Sequence, residues 1–69
     1  MKELTLSVNG ESRRLASSVT LAELLRQLGL DSRAVVVELN RRIVRRPELT
    51  ETRLQDGDAV ELVHFVGGG

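Results

Sequence analysis

Leu21, Leu24, Leu25 and Leu28 stand at i, i+3, i+4 and i+7, drawing one apolar stripe along a helix. A helix this short gains most of its stability by laying that stripe on another layer. The flanking chain reads in short alternating or β-branched runs, so the receiving layer is a sheet. Both helix ends are also signalled. Thr20 and Glu23 have capping-box spacing, and Val19 can staple against Leu24. Gly29 can take the left-handed conformation that ends the helix, with Leu30 packing back towards Leu25. Together these signals predict a helix over residues 21–28.

Before the helix, Leu4, Leu6 and Val8 alternate with Thr5 and Ser7, the period of a strand with one buried face. Asn9-Gly10 follows, a dipeptide that accepts the positive φ angles of a type I′ hairpin turn. The return strand, Glu11 to Ala16, is more polar and is placed at a sheet edge. After the helix, Ala34 to Leu39 reads as a buried strand, Asn40 as a turn and Ile43-Val44 as a brief further strand. Pro47 ends that strand because it cannot donate to a ladder. Residues 48–55 read as a loop or a turn of helix, and Gln55-Asp56-Gly57-Asp58 as a turn. Ala59 to Val66 is the last strand, with Val60 and Leu62 on one face and Val63 and Phe65 directed outward. The first and last strands are the most apolar long ones and are expected to be central, parallel neighbours. The expected class is α+β: a mixed four- to five-stranded sheet with one main helix on one face, as in the ubiquitin-like β-grasp.

Sixty-nine residues make one domain, expected as a β-grasp body over 1–66 and a flexible glycine tail over 67–69. A chain of this size buries only about 60% of its unfolded surface. Its core must be aliphatic, since Phe65 is the only aromatic residue. Ten basic and ten acidic side chains cancel, so no net field draws it to nucleic acid or to an anionic membrane. The absence of cysteine excludes disulfides, thiolate-bound zinc and thiol catalysis. Lys2 and Glu3 lead straight into a strand with no signal-peptide pattern, and the apolar run Ala34 to Val37 is too short to span a bilayer. A cytoplasmic protein, monomeric when free, is expected.

The run His64-Phe65-Val66-Gly67-Gly68-Gly69 raises a chemical question, because glycine adds nothing to a core and is costly to order. A linker remnant is the bland reading. The sharper one is a narrow segment able to enter a partner's channel, with its carboxylate as the reacting group. Val63, Phe65 and Val66, where the last strand leaves the core, are the candidate docking residues. Phe65 could equally cap an aromatic-poor core. His64 lacks a nucleophile partner and reads as structural or interfacial. No catalytic cluster, metal-ligand set or phosphate loop is evident, so a carrier acting as substrate is expected, not an enzyme. Arg41, Arg42, Arg45 and Arg46 form a basic cluster, read first as a solvated edge with Glu48, Glu51, Asp56 and Asp58 near enough in sequence to neutralise it.

The stretches LSVNG, VTLAELL, VVVELN, IVRRP and DGDAVELVHFVGGG resemble the thiamin-biosynthesis sulfur carrier family, ThiS, over essentially the whole chain. That resemblance implies a carrier whose terminal glycine, here Gly69, is adenylated by a ThiF-like enzyme using MgATP, with no cofactor bound by the carrier itself. Sulfur from a cysteine persulfide system then displaces AMP, and the resulting thiocarboxylate serves thiazole synthase, ThiG. Gly67 and Gly68 would be the threaded residues behind Gly69.

Two alternatives follow from the same residues. The small subunit of molybdopterin synthase shares the fold and the carrier chemistry, although its members tend to be longer and to differ before the glycines. A TGS-like RNA-binding module would use the arginine cluster and need no free terminus, but no interleaved aromatics are present to stack bases.

Overall fold

Asn9 and Gly10 take φ angles of 50° and 83°, and the chain reverses as that dipeptide dictates. The computed structural model describes residues 3–16 and 18–65. Strand β1 (Leu4–Val8) pairs antiparallel with β2 (Glu11–Leu15), from Leu4 opposite Leu15 to Val8 opposite Glu11. Helix α1 (Leu21–Gln27) follows, then β3 (Val35–Leu39), β4 (Arg42–Val44) and β5 (Ala59–His64). The sheet order is β2-β1-β5-β3-β4. As expected from their apolar content, β1 and β5 are parallel neighbours, and β2 lies at an edge.

Several boundaries move by a residue or two. Leu28 is the C-cap of α1, and Ala34 belongs to a 3-10 turn, Ser32–Ala34, that precedes β3. Asp31 caps that turn by accepting the Arg33 N–H at 2.9 Å. Ala16 falls outside β2 because Leu4, the first residue of β1, already faces Leu15. β5 ends at His64, although the Phe65 N–H still donates to the Ala34 carbonyl at 3.0 Å. Val66 lies outside the described residues.

The start of α1 is closed at every donor. Thr20 N–H donates to the Glu23 carboxylate at 2.8 Å, while Glu23 N–H donates to the Thr20 hydroxyl at 3.2 Å, which is the capping box. Leu21 N–H and Ala22 N–H donate to the Thr52 and Leu49 carbonyls at 2.9 and 3.1 Å. The four N–H groups that a helix ordinarily leaves unpaired are thus all satisfied. At the other end Gly29, at φ 74°, completes a Schellman turn: Gly29 N–H donates to Arg26 and Leu30 N–H to Leu25.

The core is the stripe of α1 pressed on the inward face of the sheet. Leu6, Leu21, Leu24, Leu25, Leu54 and Val60 are all but fully enclosed. No polar side chain is buried among the described residues. Leu49 and Leu54 come from the stretch that reads ambiguously in sequence. It continues from a 3-10 turn, Arg46–Glu48, then crosses the helix start, closing the core and lending α1 its two backbone acceptors.

Two predictions follow. Leu24→Ala leaves a cavity in the fully enclosed core, at a cost of about 2–5 kcal/mol. In a domain this small, urea unfolding followed by circular dichroism should show a midpoint near zero denaturant; an unchanged midpoint would contradict the packing described. The Thr20 amide, and secondarily the Thr20 hydroxyl, hold the Glu23 carboxyl below its ordinary range. Because the folded value lies below the unfolded one, the stabilisation is complete above about pH 4.3 and disappears as pH falls through the folded value. The melting temperature of Glu23→Gln should therefore lie below wild type at neutral pH, the gap closing as pH falls through the folded value.

Candidate functional site

The last strand, β5, leads to the glycine run, so how it is held decides where that run begins. On one side β1 pairs with it over two rungs, Ser7 with Ala59 and Val8 with Val60. The ladder is then extended by a side chain. Asn9, in the left-handed region at the hairpin turn, donates its N–H to the Val60 carbonyl at 2.9 Å. Its Oδ1 accepts the Leu62 N–H at 2.7 Å. Beyond Leu62, β5 makes no rung to that side among the described residues. On the other side β3 pairs with it continuously, from Leu39 opposite Val60 to Val35 opposite His64.

The start of β5 is fastened by the aspartates around Gly57. Asp56 accepts the Thr5 N–H at 2.8 Å, and Gly57 N–H donates to the Thr5 carbonyl at 2.8 Å. Asp58 accepts the Gln55 N–H at 2.7 Å and the Asn40 side-chain amide at 3.1 Å. Asn40 sits at φ 51° in the β3–β4 turn, and its Oδ1 accepts the Ala59 N–H at 2.9 Å. The Val-Asn-Gly, Leu-Asn and Asp-Gly-Asp stretches, which the sequence marks as turns, are thus also hydrogen-bonding clasps on strand backbones.

Alternation sorts the side chains of β5. Val60 and Leu62 face α1, whereas Glu61 and Val63 lie on the opposite, open face of the sheet. Val63 is 58% exposed and Phe65 60% exposed, so Phe65 does not cap the core. Cross-strand register sets Val36 beside Val63, and Ile43, itself 66% exposed, beside Glu38. Val36, Ile43 and Phe65 line one groove of about 390 Å³ together with Arg33, Arg45 and Arg46. The sequence pointed to Val63 and Phe65; it missed Val36 and Ile43, whose place on the open face depends on register. Val66, Gly67, Gly68 and Gly69 lie outside the described residues.

The other candidates resolve simply. His64 is exposed and borders a shallow recess with Val8, Leu28 and Leu62. The arginine cluster is not neutralised by the acidic residues that follow it. Asp56 and Asp58 are engaged in the clasps, and Glu48 turns its carboxylate to the Arg45 backbone N–H at 3.3 Å. The ion pairs among the described residues are Arg14–Glu3 and Arg33–Asp31, at 3.2 and 3.1 Å. Arg33 holds the Asp31 carboxyl below its usual range. Among the described residues no three potential metal ligands converge, and no helix is long and apolar enough to cross a membrane.

Comparison with known proteins covers the same ground. The model of the ThiS family matches residues 6–69, so the glycine run lies inside the matched region. The sulfur carrier protein ThiS of Bacillus subtilis is 37% identical over 65 residues, spanning 93% of this chain and 98% of that protein. A crystal structure of the thiamine biosynthesis protein ThiS from Geobacter metallireducens superposes with a TM-score of 0.83. It is 38% identical, covering 96% of this chain and all of that one. A thiazole synthase of Paramagnetospirillum magneticum is 44% identical over 66 residues, but the chain spans only 20% of that protein's length.

The Asn9 clasp can be tested separately from its turn. Asn9→Gly keeps the left-handed backbone available and removes only the acceptor for Leu62 N–H. Leaving that partly buried donor unpaired should cost about 1–3 kcal/mol. Hydrogen exchange should accelerate most at the Leu62 amide; unaltered protection there would refute the side-chain rung.

Proposed function

The chain belongs to the ThiS family, and from that premise we propose that it is a sulfur carrier of thiamine biosynthesis, with the terminal carboxylate of Gly69 as its working group. The observation that carries the reading is the family match running through residue 69 on a fold whose last strand ends five residues before that position in sequence. Such a protein is worked upon; it does not catalyse.

A carboxylate is a poor acyl donor until one oxygen becomes part of a good leaving group. In the proposed sequence, an oxygen of the Gly69 carboxylate attacks the α-phosphorus of MgATP in a ThiF-like adenylating enzyme, and pyrophosphate leaves. The terminal sulfur of a cysteine persulfide then attacks the acyl carbon and AMP departs, leaving an acyl disulfide to the donor cysteine. A thiolate attacks that cysteine's sulfur, forms a disulfide with it and releases the thiocarboxylate. The thiocarboxylate that results delivers sulfur to thiazole synthase. Thiazole synthases that carry a segment similar to this chain support that choice of recipient.

The chain's own residues contribute placement. Glycine at 67 and 68 presents no side chain to a narrow channel, so the carboxylate can reach a water-excluding site. Ordering such a segment on docking opposes binding, and the globular body must offset it with surface of its own. Val63 and Phe65, exposed at the end of β5, provide that surface, with Val66 as the next residue in line.

Intact-mass spectrometry after incubation with the adenylating enzyme, MgATP and a persulfide source tests the reading. The full chain should gain the mass difference of one oxygen-to-sulfur exchange. Deleting Gly69 should abolish the gain while the circular dichroism spectrum stays unchanged. Labelling that persists in the truncated protein would remove Gly69 from the role.

A further inference from the structure

Resting on the carrier reading, we propose that the open face of the sheet is electrically bipolar and docks a protein surface of opposite polarity: a basic group of the partner meets Glu38 and Glu61, an acidic one meets Arg45 and Arg46, and an apolar contact lies between.

The acidic end comes from register. Glu38 of β3 stands directly opposite Glu61 of β5, on the face turned away from α1. Like charges directly opposite one another across a ladder destabilise a sheet. Neither carboxylate takes part in the two ion pairs found among the described residues. The fold gains nothing from the pair, whereas a cation placed between them would relieve it.

The apolar contact is the next rung on the same face, Val36 opposite Val63, with Ile43 beside Glu38 across β3–β4. At the far end, where β4 stops and the sheet edge opens, lies the groove lined by Arg45, Arg46 and Phe65, with core residues Val37 and Leu49 at its floor. Both arginines are exposed, and neither appears in an ion pair among the described residues. Arg33, on the same rim, is already held by Asp31, and Arg46 also borders a helix-side recess beside Asp31, so Arg45 is the cation turned wholly to this end and Arg46 stands at its margin.

This arrangement selects a protein over a nucleic acid. A phosphate backbone would be drawn to the arginines but repelled by the glutamate pair one rung away, and Phe65 is the sole aromatic residue available for stacking. It also fixes orientation. A partner of matching polarity can approach in one sense only, the one that aims the end of β5 in a defined direction.

The test uses the whole chain with the adenylating enzyme of the same organism, following ATP–pyrophosphate exchange. Glu61→Lys should raise the melting temperature by removing the like-charge pair, yet raise the KM for the carrier about tenfold with kcat unchanged. Arg45→Glu with Arg46→Glu should raise KM similarly and weaken its dependence on salt, which for wild type should be steep. Arg53→Glu, exposed beside the start of α1, should leave KM within about twofold of wild type.

A Glu61→Lys protein that is stabilised but docks as well as wild type would overturn the inference and leave the carrier reading standing. A wild-type KM indifferent to salt would do the same. No exchange at all with the wild-type chain would instead sink the carrier reading itself, and this inference with it. Tight, salt-sensitive binding of a fluorescein-labelled RNA that is lost on reversing Arg45 and Arg46 would overturn it in favour of nucleic acid.

Discussion

The strand made last occupies the middle of the sheet, and the rest of the structure depends on its being gripped from both sides. β5 lies between β1 and β3, so the sheet is not continuous until the end of the chain has found its start. The Asn9–Leu62 hydrogen bond joins residues 53 apart in sequence. Closing so long a loop costs entropy that local contacts cannot offset, and the hairpin β1–β2 alone is too small to persist in water. Parallel pairing of β1 with β5 also requires a crossover. Helix α1 occupies that connection and covers the face the two strands share. Burial of the leucine stripe and insertion of β5 are therefore one event. Neither has a stable partner without the other.

Local rules explain what could be read in advance. The Asn9-Gly10 turn, the Thr20/Glu23 box, the leucine stripe and the Gly29 ending each rest on residues within a few positions of one another, and each formed where its chemistry placed it. Leu49 and Leu54 escaped notice because they belong to no periodic run. Each is buried by what crosses it, not by a pattern along its own segment. The β3–β4 turn is a similar case. Asn40 advertised a bend, but Arg41 beside it takes φ 71°, a conformation its side chain disfavours and the two-residue connection imposes.

The candidate site shows the same divide. Val63 and Phe65 were legible because strand alternation, counted from Val60 and Leu62, turns them outward. Val36, Ile43 and the Glu38–Glu61 pair were not, since pairing register is a property of two segments and neither states it alone. The arginine cluster misled in a different way. Carboxylates adjacent in sequence were expected to neutralise it, yet Asp56 and Asp58 are bound to strand amides and to Asn40.

That engagement has a consequence for how such a small domain combines stability with recognition. Its conspicuous polar residues, Asn9, Asn40, Asp56 and Asp58, are occupied in binding backbone or one another, so they are not free to recognise a partner. Recognition falls instead to the open face, which the core does not need. Along β5 the two duties alternate residue by residue: Val60 and Leu62 hold the strand to α1, while Glu61 and Val63 face outward. A period of two thus lets one strand anchor the fold and present a docking surface with little cross-talk. Changes on the outward set can alter which surface is met while the inward set keeps the end of β5 in place. The likeness to the Geobacter metallireducens protein, at 38% identity but a TM-score of 0.83, is what this separation permits: most positions differ and the fold is kept.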